Sequence, residues 1–360
     1  MHPAPRKIVI AAGGTAGHVV PALAVAEALR ADGAEVVFIG GERAEAQLVP
    51  AAGMELHQLS VRGLSRSDPL AAARTLSLAA AALPRARALL RRLAPHAVMG
   101  GGGYVAGPVG LAALSLRLPL VLTEADSHLG LTNRMLAPFA RRVCLAFPLE
   151  GRDGDRYRVT GRPVPAAAVD RETARARFGL AEGETCVLVF GGSLGSRSIN
   201  EAAVQAFGQA DGPAALRVLH ICGRRDYELL AARGLRDGYE LLAYLELPEF
   251  EAALAAADLA VARAGGSVFE LAAHGLPAVL VPYPHAAADH QSSNARWMER
   301  AGAAVVIADA ELTAARLREQ VAALLRDEPR LAAMAAASRG LARPQAAAEV
   351  AQELLQAAAR

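Results

Sequence analysis

Short apolar runs alternate with amphipathic stretches along the chain, and this alternation predicts its secondary structure. Residues 7–12, 35–39 and 119–123 are apolar runs with the length of strands that are buried on both faces. The residues between the first two runs predict a helix closed by Gly33, because a left-handed residue is favoured just after a helix end. Strand, glycine turn, helix and strand in this order predict a βαβ unit in a parallel sheet.

The second half of the chain repeats the pattern of the first. The run CVLVF at residues 186–190 is followed by the turn GGSLGS and a helical pattern, as KIVIAA is followed by GGTAGH and a helix. Further apolar runs, which predict more strands, lie at residues 157–160, 217–222, 239–244, 257–262 and 277–282. The repeat predicts an α/β fold of two doubly wound Rossmann-like domains that face each other across a cleft.

The boundary between these domains is predicted at the segment GRPVP, residues 161–165, because its two prolines stiffen a linker. We assign residues 1–162 to the first domain and residues 163–343 to the second. Residues 344–360 predict a last helix that packs back on the first domain.

The stretch at residues 263–294, RAGGSVFELAAHGLPAVLVPYPHAAADHQSSN, carries the clearest chemical signal. Its glycines follow a predicted strand and open a helix near Ser267, where free N–H groups and the helix dipole favour a diphosphate over Gly266 and Ser267. Glu270 lies one turn further and suits the two hydroxyls of a ribose. The polar residues after the next strand suit the hydroxyls of a sugar; they are His285, Asp289, His290, Gln291 and Asn294. Together these residues predict a pocket for a nucleoside diphosphate sugar.

A structural alternative stays open for this helix, because Ser267 and Glu270 also form the S-x-x-E pattern of a capping box. The same pattern recurs at Ser198 and Glu201, and there we favour the capping interpretation. Ser193 and the N–H groups of its glycine turn suit a donor phosphate, with Asn200 on the following helix facing the same region.

The first glycine turn, GGTAGH at residues 13–18, places His18 at the start of a helix and at the carboxyl edge of the first strand. The helix dipole disfavours a protonated imidazole there, so His18 is a candidate for accepting a proton. A capping or packing histidine is the alternative. The turn lacks the G-x-G-x-x-G spacing, and Gly40 and Gly41 stand where a dinucleotide site has an acidic residue.

A run of four glycines precedes Tyr104, and such a run leaves room for a close approach to the backbone. We interpret Gly101, Gly102, Gly103 and Tyr104, together with Gly14, as part of a second diphosphate site, which the family resemblance described below assigns to an acceptor. A flexible turn is the alternative.

Composition and charge narrow the class of protein. A chain of 360 residues, 53% hydrophobic, is long enough for two domains, and a formal charge of +2 does not indicate a nucleic-acid partner. Cys144, Cys186 and Cys222 are widely spaced and lie in or beside apolar runs, which predicts core thiols. No signal-peptide pattern opens the sequence, and Arg117 and Pro119 interrupt the best candidate for a membrane span. We expect a cytosolic protein.

Two further stretches have open interpretations. Residues 53–92 interleave arginines with leucines, which suits an anionic membrane surface as well as an ordinary helix with a solvated face. Asp153 and Asp155 form a D-x-D pattern found in metal-dependent glycosyltransferases, but they lie in a polar turn, so a surface loop is favoured. We predict no metal and no cofactor.

The stretch at residues 263–294, the GGTAGH motif and the GLTNR segment at residues 130–134 resemble the MurG family of glycosyltransferases, and the resemblance extends over the whole chain. That family adds N-acetylglucosamine to the lipid-linked muramyl pentapeptide during peptidoglycan synthesis. The resemblance implies the GT-B architecture and an inverting transfer from UDP-N-acetylglucosamine to the C4 hydroxyl of undecaprenyl-diphosphate N-acetylmuramoyl pentapeptide, known as lipid I. It also implies a peripheral position on the cytoplasmic face of the bacterial membrane and a role for His18 in activating the acceptor hydroxyl.

The donor site predicted from these patterns and from the resemblance comprises Thr15, Ala16, Gly17, Asp126, Arg162, Ser193, Asn200, Leu245, Gly266, Ser267, Glu270 and Gln291. Leu245 is included for its backbone, which by resemblance meets the uracil edge.

The chain departs from the family pattern at several positions. The family has histidine, glutamine and asparagine where this chain has Thr123, Ala125 and Asp126, and it has arginine at Pro165. The glycine turn before Glu270 is one residue shorter. Arg162 is our candidate for replacing the missing positive charge. Two rival functions stay open on these grounds: a UDP-sugar epimerase of the same architecture, and a non-catalytic nucleotide-sugar-binding paralogue.

Overall fold

Two parallel sheets organise the chain. The computed structural model describes residues 5–61, 69–165, 169–209 and 216–359, with residues 69–80 and 287 described by their backbone alone. The chain divides into two units, the first formed by Met1–Pro165 with Arg343–Arg360 and the second by Ala166–Ala342. Each unit has its own sheet and its own core.

Unit 1 is a doubly wound α/β domain. Its described strands are β1 (Lys7–Ala11), β2 (Glu35–Gly40), β3 (Glu55–Gln58), β4 (Ala97–Gly100), β5 (Leu120–Glu124), β6 (Arg142–Leu145) and β7 (Tyr157–Val159). The helices between them are α1 (Ala16–Ala31), α2 (Ala44–Ala51), α3 (Pro69–Leu93), α4 (Gly103–Ser115) and α5 (Leu131–Leu136), the last continued by a 3₁₀ turn, Ala137–Phe139. All neighbouring strands pair in parallel in the order β3-β2-β1-β4-β5-β6-β7.

This strand order reverses direction between β1 and β4. Open α/β sheets bind ligands at such a point, beyond the carboxyl ends of the strands. The GGTAGH turn follows β1 and the glycine run follows β4, so both meet at this position.

Unit 2 repeats the architecture. Its described strands are β8 (Thr185–Phe190), β9 (Leu216–Ile221), β10 (Tyr239–Leu242), β11 (Leu259–Ala262), β12 (Ala278–Leu280) and β13 (Ala304–Val306), in the parallel order β10-β9-β8-β11-β12-β13. Its helices are α6 (Arg171–Arg177), α7 (Arg197–Phe207), α8 (Tyr227–Ala231), α9 (Leu247–Ala256), α10 (Ser267–His274), α11 (His290–Arg300), α12 (Ala314–Arg326) and α13 (Glu328–Leu341), with 3₁₀ turns at Ala287–Asp289 and Asp309–Glu311. The strand order reverses between β8 and β11, which places the GGSLGS turn beside the turn that opens α10.

The last helix, α14 (Ala346–Ala357), belongs to unit 1. Its buried residues Val350, Ala351 and Leu354 share a core cluster with Ile8 of β1 and with α1. Glu353 on the same helix forms an ion pair with Arg142 of β6, at 2.7 Å. The chain therefore leaves unit 1 once, builds unit 2, and returns to complete unit 1.

The sequence prediction of the central strands is confirmed. Three strands were not predicted: β3 and β13, which lie at sheet edges, and β6, which lies inside the sheet of unit 1. β3 lies inside the stretch that we interpreted as amphipathic and arginine-rich, and its residues are only partly buried. β6 and β13 are four and three residues long, too short for a periodicity signal. The composition of an edge strand is a weaker signal than that of a central strand, because the edge strand is less buried.

Several local predictions are also confirmed. Gly33 has φ +79° just after α1, as a helix-closing glycine requires. Cys144, Cys186 and Cys222 are buried free thiols. Asp153 and Asp155 lie in an exposed turn between β6 and β7.

Candidate functional site

His18 lies in the first turn of α1, directly beyond the carboxyl end of β1. Thr15 is the N-cap residue of this helix, with an extended backbone, and its carbonyl accepts the His18 backbone N–H at 3.0 Å. The Thr15 hydroxyl lies 3.4 Å from Nδ1 of the imidazole. A Cβ built on Gly102 would lie 2.7 Å from Cδ2 of the imidazole, so the glycine run leaves the space in which the ring lies.

The environment of His18 keeps its imidazole neutral. Burial lowers the pKa of His18, and the guanidinium of Arg162 lowers it further, while the carboxylates of Asp126 and Glu45 oppose the shift. The direction agrees with the sequence prediction, although the cause is burial and a neighbouring cation. A neutral imidazole at neutral pH can accept a proton.

The other predicted residues of the first turn lie around this imidazole. Ala16 and Gly17 form the start of α1, where the first N–H groups point out of the helix. Arg162, only 6% exposed, donates from Nη2 to the Gly17 carbonyl at 2.7 Å. The charge of Arg162 therefore lies beside the first turn of α1. In the family pattern the corresponding charge is carried by an arginine at the position of Pro165.

The glycine run after β4 packs against the first turn. Gly102 is the N-cap residue of α4, and Gly102 and Gly103 have φ of +92° and +75°. A Cβ on Gly103 would collide with the carbonyl oxygen of Gly13. The close approach that the run predicted is thus made in part by the protein's own backbone, and no side chain caps the start of α4.

Tyr104 is held by a carboxylate. Its hydroxyl donates to Oε1 of Glu45 at 2.7 Å, and burial together with this carboxylate raises the pKa of Tyr104 to about 12. The Arg43 guanidinium lies 5.4 Å from the centre of its ring. Tyr104 therefore stays protonated and its hydroxyl points at a partner inside unit 1.

Glu45 is a residue that the sequence analysis missed. Its side chain is fully buried and its carboxylate accepts the backbone N–H of Gly14 and of Gly41, each at 2.8 Å. The N–H of Gly14 is therefore directed at Glu45, and the assignment of Gly14 to the acceptor site stays a prediction. No sequence signal separates Glu45 from Glu42, the other glutamate of GERAEAQ, because α2 has no clear amphipathic pattern.

The segment after β5 is built around Glu124. This carboxylate accepts the N–H of Asp126 at 3.2 Å, the N–H of Gly130 at 2.8 Å and the Asn133 amide at 2.9 Å. Burial raises the pKa of Glu124 despite these hydrogen bonds. The matching residues Glu124 and Asn133 thus hold the loop that carries the divergent Asp126, and the carboxylate of Asp126 is close enough to influence His18.

In unit 2, α10 begins at Ser267 as predicted, but its capping differs from the structural alternative. The N-cap residue is Gly266, and no side chain caps the helix. The Ser267 hydroxyl donates to the Arg263 carbonyl at 3.4 Å. The capping box of Ser267 and Glu270 is therefore not formed, and Glu270 stands in the first turn of a helix that no side chain caps.

The polar segment after β12 contacts the turn that opens α10. Gln291 accepts the Tyr283 N–H at 2.9 Å, and its amide nitrogen would lie 3.8 Å from a Cβ on Gly265. Asn294 donates to the carbonyls of Ala264 and Gly265 at 3.0 and 3.4 Å. The interpretation of this segment as a loop is only partly correct, because His290, Gln291 and Asn294 lie in α11.

The GGSLGS turn follows β8 and carries Ser193. A Cβ on Gly195, which has φ +73°, would collide with the carbonyl of Cys222, so the turn rests on the segment after β9. α7 begins beyond this turn with Ser196 as N-cap and no side-chain cap. As in α10, no side chain caps the first N–H groups of this helix.

Asn200 is buried and binds the segment after β9 on which this turn rests. It is 1% exposed; its amide donates to the Cys222 carbonyl at 2.9 Å and to Asp226 at 3.0 Å, and its oxygen lies 3.1 Å from Nε2 of His220. All of its hydrogen-bonding capacity toward the interior is used, so the structure corrects its assignment as a residue facing the donor. The cause is the β9 histidine, which a single sequence does not connect with Asn200.

The capping box at Ser198 and Glu201 is a second correction. Ser196 is the N-cap of α7, and the Ser198 hydroxyl donates to Asp309 at 2.7 Å. Glu201 instead forms a two-pronged ion pair with Arg233, both contacts at 2.7 Å. The true cap lies two residues earlier than the pattern indicated.

Arg263 is the second residue that the sequence analysis left without a role. Its buried guanidinium donates to the carbonyls of Val281 and Pro282 at 3.0 and 3.2 Å, and to the Ser198 hydroxyl at 2.8 Å. It also pairs with Asp309 at 2.7 Å. These contacts join the ends of β11 and β12 to α7. Leu245, predicted for its backbone, lies in the half-buried segment between β10 and α9.

The arginine-rich stretch divides into a described and an undescribed part. In residues 81–93, Leu83, Leu89 and Leu90 pack in or against the core of unit 1, while Arg85 and Arg91 are exposed. This part is an ordinary helix with a solvated face. The side chains of the earlier members, from Arg62 to Leu78, lie outside the described residues.

The comparisons with known proteins agree with this geometry. The glycosyltransferase family 28 N-terminal domain matches residues 8–145, and the family's C-terminal domain matches residues 186–354. A protein of Moorella thermoacetica named UDP-N-acetylglucosamine–N-acetylmuramyl-(pentapeptide) pyrophosphoryl-undecaprenol N-acetylglucosamine transferase is 42% identical, over 97% of this chain and 98% of its own. A protein of the same name from Halorhodospira halophila is 43% identical, over 96% and 97%.

Solved structures give the same result. The crystal structure of Acinetobacter baumannii MurG aligns with a TM-score of 0.75 and 30% identity, over 98% of this chain and all of that one. A UDP-N-acetylglucosamine 2-epimerase aligns with a TM-score of 0.67 at 16% identity, over 98% of this chain and 96% of its own. The second likeness shows a shared fold alone.

Proposed function

The chain belongs to the MurG family within glycosyltransferase family 28, and from this membership we propose that it transfers N-acetylglucosamine from UDP-N-acetylglucosamine to the C4 hydroxyl of lipid I, giving lipid II for peptidoglycan synthesis. The observation that carries this proposal is the near-complete coverage of relatives that bear the name of this transferase. A further support is a neutral imidazole at the ligand-binding edge of unit 1.

In the proposed reaction, His18 is the general base. The C4 oxygen of the acceptor attacks C1 of N-acetylglucosamine, His18 takes the hydroxyl proton, and UDP leaves with the electron pair of the C1–oxygen bond. Attack on the face opposite the leaving group inverts C1. The lowered pKa of His18 supports this role, because the base must be neutral before it can accept the proton.

The donor is held by unit 2 in this proposal. The uncapped starts of α7 and α10 stabilise the charge that develops on the leaving diphosphate, since fixed N–H groups need no reorganisation during the reaction. Glu270 binds the ribose hydroxyls, and Gln291 binds the sugar beside Gly265. Ser193 contributes at the first of these helix starts.

The acceptor's diphosphate is assigned to the start of α4. Gly102 and Gly103 leave this helix start without a side-chain cap. Thr15, Ala16 and Gly17 remain proposed contacts by family resemblance, as do Arg162 and Asp126.

A peripheral contact with the membrane completes the proposal. No helix among the described residues has the length and apolarity to cross a bilayer. Leu131, Met135 and Phe139 recur every four residues on α5 and its 3₁₀ extension, and they are 59%, 60% and 68% exposed. Arg134 and Arg141 are exposed beside them. Apolar side chains flanked by arginines suit an anionic bilayer, so this patch, rather than the described part of α3, is the proposed contact.

Sedimentation with liposomes tests the membrane contact. Replacing Met135 and Phe139 together by serine removes apolar area from the patch, and we expect binding to vesicles containing phosphatidylglycerol to fall about tenfold. Leu229→Ser is the matched control, because Leu229 is an isolated side chain in unit 2 that is 64% exposed. Equal binding by the double variant and the control would remove the patch from the proposal.

One assay tests the activity and separates its rivals. The protein is incubated with radiolabelled UDP-N-acetylglucosamine, with and without a short-chain analogue of lipid I. Lipid-dependent transfer of label is the expected result. Isomerisation of the sugar without lipid would indicate an epimerase, and binding without turnover would indicate a non-catalytic paralogue.

A further inference from the structure

Glu45 is a buried carboxylate for which the proposed reaction has no role. It lies on α2, and three segments of unit 1 meet around it. Oε2 accepts the N–H of Gly14 in the first glycine turn, and Oε1 accepts the N–H of Gly41 after β2 and the hydroxyl of Tyr104 on α4. Cβ atoms on Gly13, Gly40 and Gly41 would lie 2.7, 2.8 and 2.9 Å from side-chain atoms of Glu45, and a Cβ on Gly41 would also collide with the Tyr104 hydroxyl. The niche is therefore shaped for this side chain.

The carboxylate in this niche is ionised at neutral pH. Burial raises the pKa of Glu45, but the hydrogen bonds from Gly14, Tyr104 and Gly41 together lower it below the ordinary value. A charged group is kept inside unit 1 only when its oxygens are satisfied, and here three donors satisfy them. The niche thus holds a permanent negative charge.

Glu45 is connected to His18 through a short and rigid path. Gly14, with φ +114°, precedes Thr15, and Thr15 caps α1 and contacts the imidazole. The ring of Tyr104 would lie 3.7 Å from a Cβ on Gly14, so the second partner of Glu45 covers the same turn.

We propose that Glu45 is a positioning residue for His18: its carboxylate fixes the Gly14 turn that carries the imidazole. This inference rests on the proposed role of His18 as the general base. The charged groups that act on His18 are Arg162, which lowers its pKa, and Asp126 and Glu45, which raise it. Removing the charge of Glu45 therefore lowers the pKa of His18.

Two variants separate charge from geometry. Glu45→Gln removes the charge and places an NH₂ group against N–H donors, so we expect kcat to fall at least about tenfold, because a small misplacement of a catalytic group is costly. The acid limb of the kcat/KM profile should also move to lower pH, since neutral His18 then persists to lower pH. Glu45→Asp keeps the charge but withdraws it by one methylene, so it should lower kcat while leaving the acid limb close to its wild-type position.

The controls follow from the structure. Glu42→Gln removes an exposed carboxylate from the same turn and should leave both kcat and the acid limb unchanged. Glu42→Gln should also leave the KM for UDP-N-acetylglucosamine unchanged, because the Glu42 carboxylate is exposed and is not among the proposed donor contacts. Wild-type kcat in Glu45→Asp, or an unmoved acid limb in a folded Glu45→Gln variant, would overturn the proposal.

A readout without turnover keeps this test apart from the test of the proposed function. The His18 ring can be titrated by NMR with labelled histidine in the wild type and in Glu45→Gln, and the pKa of His18 should be lower in the variant. If the wild type transfers no sugar, the proposed function fails while this comparison still decides whether Glu45 acts on His18.

Discussion

The two glycine turns of this chain have nearly the same sequence pattern, but they rest on different polar groups. The turn of unit 1 has a buried carboxylate beneath it, Glu45, which binds the Gly14 N–H. The turn of unit 2 rests on the backbone after β9, which a neutral pair holds: Asn200 binds the Cys222 carbonyl and contacts His220.

The two turns rest on different polar groups because they have different proposed roles. The turn of unit 1 carries the base His18, and the turn of unit 2 receives the donor diphosphate. A negative charge beneath His18 raises the affinity of the imidazole for a proton, which is useful in a base. The same charge beneath a turn that receives a diphosphate would repel the ligand. Unit 2 does contain Asp226 beside Asn200, but Arg225 pairs with it at 2.8 Å and Arg197 lies 3.7 Å from it. The charge beneath the second turn is therefore compensated.

The sharpest test of the comparison removes the group that the first turn carries. Replacing His18 by alanine should lower kcat about a hundredfold or more, because the acceptor hydroxyl then loses its base. Binding of UDP-N-acetylglucosamine, measured by calorimetry, should stay within about twofold of wild type. Near-normal turnover would show that the first turn does not carry the base.

The next test addresses the second turn through Arg263. Arg263→Met breaks a buried ion pair and leaves Asp309 without its cation, so the free energy of unfolding should fall by about 3 kcal/mol. The KM for UDP-N-acetylglucosamine should rise about tenfold, because the ends of β11 and β12 lose their link to α7. Urea unfolding and steady-state kinetics measure the two effects.

Arg233→Met is the matched control for that variant. Its pair with Glu201 is about one-third exposed on both sides, so its loss should cost only about 0.5 kcal/mol and leave KM unchanged. Equal losses of unfolding free energy in Arg263→Met and Arg233→Met would mean that the Arg263–Asp309 pair contributes no more to stability than a surface ion pair.

The smallest expected effect concerns the neutral support of the second turn. Burial lowers the pKa of His220 to about 3, while the unfolded chain has the ordinary value near 6.5. Below about pH 6.5 the unfolded state binds a proton that the folded state does not, so stability falls as the pH falls. Between pH 7.5 and 5.5 this one group should cost about 1.4 kcal/mol. Urea unfolding at both values measures the loss.

His220→Gln isolates this contribution. The variant is less stable overall, but its loss of stability between the two pH values should be smaller than that of wild type by about the same 1.4 kcal/mol. An unchanged pH dependence in His220→Gln would contradict a neutral buried imidazole.

The sequence predicted those parts of the molecule that depend on local pattern. The central strands, the helix starts after β1, β8 and β11, and the position of His18 all follow from apolar runs and glycine turns. The roles of Glu45, Asn200 and Arg263 were not predictable, because each is set by partners that are distant in the chain. The capping boxes at Ser198 and Ser267 were open for the same reason: a four-residue pattern does not show which donors already have partners.

The position of α14 in unit 1 sets the order in which the two domains of the chain finish folding. Since α14 supplies Val350, Ala351 and Leu354 to the core against α1, the first domain cannot close until the end of the chain has been synthesised. The second domain is continuous in sequence and is able to fold as it emerges from the ribosome, so the part translated later is completed earlier. A premature stop codon just before Ala346 would accordingly leave unit 2 intact and expose the apolar surface of unit 1 against which α14 packs.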